Sequence, residues 1–192
     1  LEELLEVPTA AVILEPLDAT EASTLTCTPY HWTDPDGDPE GAQFEWTVAG
    51  AAVSATGATL TGDDFDRGDE VTCTVYPDDG DGPLGQPLTS NPVTILNTPP
   101  AIPEVELLPA DPYTEDDLVC DVVTPVPDVD PDVVTYTYRW SADGVLQPAQ
   151  TTDTVPSVST QLGQEWTCEV QAFDGAEVSA WVSATTVVVP HE

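Results

Sequence analysis

The chain has 192 residues, of which 36 are Asp or Glu against two Arg and no Lys, for a formal net charge of −34. Such a surface repels nucleic acid and anionic lipid, which excludes both as expected partners. No run of 18 apolar residues occurs, so no membrane insertion is expected from this segment. With no Met, even at position 1, the chain reads as a mature or excised piece whose leader and anchor, if it is secreted, lie elsewhere.

Residues 1–8 (LEELLEVP) read either as a short helix that Pro8 stops or as the tail of a preceding repeat's last strand. From Thr9 the pattern is β. Short runs rich in Val, Thr, Leu and Ile alternate with Pro, Gly and Asp clusters, the rhythm of a sandwich. The first half predicts strands near 10–15, 22–28, 42–48, 57–61, 70–76 and 87–95. Period-two alternation places Leu25 with Cys27, Phe44 with Trp46 and Val48, and Val71 with Cys73 and Val75 on shared faces. Trp46 is therefore a core residue.

Asn97-Thr-Pro-Pro100 (97–100) reads as a stiff, extended linker, since its two prolines fix φ and lack N–H groups. The second half then repeats the first, with strands expected near 102–108, 116–123, 134–141, 153–159, 165–172 and 178–189. The repeat is clearest in Cys27, Trp46 and Cys73 against Cys120, Trp140 and Cys168. Four Cys in two matched pairs, with no Cys-x-x-Cys, read as two disulfides rather than a zinc site, and hence as a sign of an oxidising compartment. Trp140, like Trp46, is expected in a core. The fold class is all-β, two tandem sandwich domains over 9–96 and 101–190, each with one internal disulfide.

The Cys…Trp…Cys spacing, the DPDGD stretch before the first tryptophan strand and the NTPP junction resemble tandem bacterial immunoglobulin-like repeats of secreted and cell-surface proteins. DPDGD is also similar to stretches of PKD and cadherin-like repeats. In antibody-type domains a tyrosine stands two residues before the second cysteine; Val71 and Trp166 occupy that place here. The resemblance implies non-catalytic spacer repeats of an extracellular stalk, fibre or adhesin, packed against neighbouring repeats of the same protein. Self-assembly into a fibre through 1–8 or an edge strand is a variant. The second reading is an adhesion module for carbohydrate or a host protein, with Tyr30, His31, Trp32 and Trp181 as candidate contacts.

The best chemical candidate is the acidic loop before each tryptophan strand. Asp34, Asp36 and Asp38 align with Asp128, Asp130 and Asp132 when Trp46 is laid on Trp140. Alternating carboxylates can converge on one hard cation, and Ca²⁺ takes six to eight oxygens. Three per loop are too few, so further ligands are expected from the loop between the last two strands, which carries Asp78, Asp79 and Asp81 in the first half and Asp174 in the second. Against this, Asp-Pro and Asp-Gly are turn formers in their own right. Arg67-Gly68-Asp69 spells an integrin tripeptide, but its glycine is explained by a turn. His31 and His191 stand far apart, and no Gly-x-Ser-x-Gly or phosphate loop occurs, so no enzyme is expected.

Overall fold

The computed structural model describes residues 9–33, 40–80, 84–124, 126–130 and 132–190. The chain divides between Thr98 and Pro99 into two compact units. The first contains β1 (Thr9–Glu15), β2 (Thr24–Thr33), β3 (Ala42–Val48), β4 (Ala51–Val53), β5 (Thr59–Thr61), β6 (Glu70–Pro77), β7 (Leu88–Thr89) and β8 (Val93–Thr94). One sheet has the order β1-β2-β5; the other runs β4-β3-β6-β7, with β8 also on β6. Every ladder is antiparallel.

The second unit contains β9 (Glu104–Leu108), β10 (Leu118–Thr124), β11 (Thr135–Ala142), β12 (Val145–Leu146), β13 (Thr154–Val155), a 3-10 turn (Ser157–Ser159), β14 (Glu165–Phe173) and β15 (Val182–Val187). Its sheets are ordered β9-β10-β13 and β12-β11-β14-β15, the same plan with the single strand β15 where the first unit has β7 and β8. A three-stranded sheet and a larger one, five-stranded in the first unit and four-stranded in the second, with the disulfide joining the second strand to the sixth, is the immunoglobulin-type arrangement. Both units are immunoglobulin-like β-sandwiches.

The cores follow from alternation. Along β6 the inward set is Val71, Cys73 and Val75, and along β14 it is Trp166, Cys168, Val170 and Ala172, all buried. Cys27 bonds Cys73 and Cys120 bonds Cys168, each with a Cα–Cα separation of 6.2 Å. Trp46 and Trp140 are fully buried beside them. Each indole N–H needs an acceptor in that interior. Trp46 Nε1 donates to the Gly57 carbonyl at 2.8 Å, and Trp140 Nε1 to the Thr152 carbonyl at 2.8 Å.

Several strands depart from expectation for local reasons. The run 87–95 is two short strands, because Pro92 has no N–H to give the ladder. Ser90 bridges the gap: Cys73 N–H donates to its Oγ at 3.1 Å, and its own N–H donates to the Cys73 carbonyl at 2.9 Å. The expected strand 153–159 ends at Val155, where Pro156 opens the 3-10 turn. The hairpin strands β4 and β12 lie outside the expected strand runs.

Both hairpins use two-residue turns. Val48 pairs Ala51 around Ala49-Gly50, and Ala142 pairs Val145 around Asp143-Gly144. All four turn residues have positive φ, 48° at Ala49 and 48° at Asp143, as a type I′ turn requires. Asp tolerates that region, and Asp143 Oδ1 also accepts the Glu165 N–H at 3.0 Å. Ala49 has neither advantage. Ala49→Asn is therefore expected to stabilise the first unit by about 0.5–1 kcal/mol, raising its melting midpoint by about 4–8 °C per kcal/mol. A thermal melt showing no gain would contradict this account of the turn.

Candidate acidic pole of the second unit

Strands β10 and β11 are joined by a loop carrying Asp128, Asp130 and Asp132, while β14 and β15 are joined by one carrying Asp174. Sandwich topology puts both connections at one pole. Asp130 is completely buried and Asp174 is 5% exposed, unusual for carboxylates in a chain with two cationic side chains. Much of the order here is carboxylate–amide bonding. Asp128 Oδ1 accepts the Asp130 N–H at 3.1 Å. Asp174 Oδ1 accepts the N–H groups of Ala176 at 2.6 Å and Glu177 at 2.7 Å. Asp132 N–H donates to the Asp130 carbonyl at 2.6 Å. Tyr136 roofs the loop, its hydroxyl accepting the Val126 N–H at 3.2 Å.

Burial pushes the Asp128 carboxyl above the usual carboxylate range; the Asp130 N–H opposes this, and the charges of Asp174, Asp130 and Asp132 add to the rise. Its Oδ2 is buried with no hydrogen-bond partner among the described residues. All four second-unit aspartates singled out from sequence thus share one electrostatic environment. They do not form a ready cage: among the described residues no three His, Cys, Asp or Glu side chains are arranged to hold a metal ion. A cation here needs the carboxylates to turn, with water or backbone carbonyls completing its shell.

In the first unit Asp34, Asp36 and Asp38 lie outside the described residues. Asp79 is buried at 9% exposure. Its neighbour Asp78 accepts Gln43 Nε2 at 2.8 Å and the Gly80 N–H at 3.0 Å, and these bonds hold its carboxyl below the usual range.

Arg67-Gly68-Asp69 forms a turn with Gly68 at φ 89°, and Arg67 Nη1 donates to Asn97 Oδ1 at 2.6 Å. Tyr30 and His31 stack at 4.8 Å in a tilted pair. The Trp181 ring is covered by the Arg139 guanidinium at 4.1 Å from its centroid. Arg139 is chelated by Glu169 through two bonds of 2.7 Å, so that face of Trp181 is not available to a sugar ring. Among the described residues no helix is long and apolar enough to cross a membrane.

No protein-family model matches the chain, and no curated protein sequence does. Its likenesses are to solved structures. A two-domain fibronectin type III segment of chicken tenascin is 14% identical over 93% of this chain and 99% of that one, with a TM-score of 0.43. The chicken interferon gamma receptor alpha chain is 12% identical over 95% and 98%, with a TM-score of 0.49. Three N-terminal domains of the outer capsid protein Hoc of bacteriophage RB49 are 16% identical over 94% and 59%, with a TM-score of 0.36. At these identities the likeness concerns fold alone.

Proposed function

We propose that the chain is a pair of structural repeats of an extracellular protein, and that the acidic pole of the second unit takes up a divalent cation, Ca²⁺ by its all-oxygen chemistry. Immunoglobulin-like and fibronectin type III-like domains commonly serve as structural or binding modules. The observation carrying the reading is the duplication itself: disulfide, buried tryptophan and indole–carbonyl bond recur in both units. An oxidising compartment fits the two disulfides. A bacterial surface stalk or fibre is the setting suggested by the likeness of the motifs to bacterial repeats.

The cation half of the reading rests on Asp128. Its pKa is raised, so between the unfolded value of about 3.9 and the folded value the native state binds more protons than the unfolded one. Stability contributed by this group therefore falls as pH rises through that window and stays low at neutral pH. A cation removes the penalty. In EDTA at neutral pH, Asp128→Asn is expected to melt higher than wild type, the gain vanishing below about pH 3.9 where both states are protonated. Millimolar Ca²⁺ at matched ionic strength is expected to raise the wild-type midpoint, reflecting a stability gain of about 2.7 kcal/mol at a hundredfold excess over Kd, and to leave Asp128→Asn nearly unmoved. Equal responses of the two proteins would remove the cation and leave the aspartates as turn formers.

A further inference from the structure

The first unit has an incomplete sheet edge. β3 pairs with β6 along its whole length, from Ala42 against Pro77 to Val48 against Val71. On its other side β4 covers only Trp46, Thr47 and Val48. Among the described residues no strand pairs with the outer edge of Ala42–Glu45. The chain beyond β4 swings away through Ala55 and Thr56, leaving a cleft of about 440 Å³ lined by Phe44, Glu45, Thr56, Tyr76 and Leu84 among others. A second hollow of about 320 Å³ continues along Phe44, Glu45 and Ala55.

The ladder register fixes the direction of the backbone groups on this edge. Cys73 gives its N–H to Ser90 Oγ and its carbonyl to the Ser90 N–H, both away from β3. The Trp46–Cys73 pair is therefore the kind that exchanges no bonds, and hydrogen-bonded and non-bonded pairs alternate along an antiparallel ladder. Gln43 and Glu45 face β6, whereas Ala42 and Phe44 turn their N–H and C=O groups outward. The Gly41 carbonyl, bonded to the Asp78 N–H at 3.0 Å on the β6 side, agrees with this register. The open edge thus offers two donors and two acceptors at strand spacing above a partly apolar floor.

The charge at this edge is one-sided. Glu45 lies along the cleft with its Oε2 accepting the Tyr76 hydroxyl at 2.8 Å, and Asp78 stands beside Gln43. In the whole first unit Arg67 is the one Lys or Arg. We propose that the open edge of β3 at Ala42–Glu45 is a docking site for an extended, cationic segment of a partner protein, taken up as an added strand. Main-chain bonds to Ala42 and Phe44 would supply register, the Phe44–Leu84 hollow would take an apolar side chain, and Glu45 would meet a Lys or Arg. A second copy of this chain suits the edge poorly because it is itself strongly acidic.

The test uses a fluorescein-labelled peptide of alternating Val and Lys, and a control of the same charge with Pro replacing each Val. Proline cannot donate to a ladder, so the control keeps the electrostatics and loses the strand. The Val-Lys peptide is expected to bind at least tenfold more tightly than the control by fluorescence anisotropy. Amide hydrogen exchange is expected to slow at Ala42 and Phe44 on binding, with Gln43 and Glu45, already bonded to β6, unchanged. Ala42→Pro, which removes one outward N–H and leaves the β6 pairing intact, should weaken the peptide at least tenfold. Should that variant fail to fold, the exchange pattern of the wild type decides. Equal binding of the two peptides, no binding, or protection elsewhere on the unit would overturn the proposal.

Discussion

Replacing Cys120 and Cys168 together by Ala is expected to lower the stability of the second unit by about 4 kcal/mol, and Cys27 with Cys73 to do the same to the first. The two bonds close loops with sequence separations of 48 and 46 residues. In the chain-entropy picture, loops of that length remove about 4 kcal/mol of freedom from the unfolded chain. The sulfurs are also buried against Trp140 and Trp46, so each substitution opens a small void. A domain of about 95 residues holds only about 5–15 kcal/mol in total, so the loss takes a large share. Calorimetry of the paired variants separates the units, because each substitution should move one transition and leave the other in place. A fall below about 1 kcal/mol would mean that the unfolded chain is already restrained near the bridge.

How much of this fold could be read in advance depended on the reach of each interaction. The period-two pattern of Val71, Cys73 and Val75, and its copy in β14, is local and repeated, so the strands and their inward faces were legible. The hairpins β4 and β12 were not, because Ala51–Val53 and Val145–Leu146 are too short for a pattern to show. The available signal was Asp143-Gly144, a favoured type I′ pair. Ala49-Gly50 makes the same turn without that chemistry. The acceptors of the buried indoles, Gly57 and Thr152, were invisible for another reason: any residue carries a carbonyl, and the surrounding chain alone decides which one arrives.

The site divides in the same way. Alignment on the tryptophans singled out Asp128, Asp130 and Asp132, sandwich topology added Asp174, and the charges that press on Asp128 come from the other three. The depth of Asp130 was not legible, since an exposed Asp-Pro turn and a buried one have the same sequence. The open edge at Ala42–Glu45 was missed because the run 42–48 looks uniform; only the shortness of β4 makes its first half different from its second.

The other large effect belongs to the tryptophans, and it should differ between the units. Trp46→Ala and Trp140→Ala are each expected to cost about 3–5 kcal/mol, through lost burial and the cavity left. The milder Trp→Phe variants should cost about 1–3 kcal/mol where the Gly57 or Thr152 carbonyl loses its donor inside the sandwich. In the second unit a further ring, Trp166, packs edge-on against Trp140 with centroids 6.2 Å apart at 71°. The first unit has Val71 at the matching place. An edge-to-face pair adds about 0.5–1.5 kcal/mol beyond burial. A double-mutant cycle of Trp140→Leu with Trp166→Val should return a coupling of that size, read from urea melts of each variant. The corresponding cycle of Trp46→Leu with Val71→Ala should return a smaller one, because an aliphatic side chain has no ring quadrupole to meet. Equal couplings in the two units would assign the effect to packing volume alone.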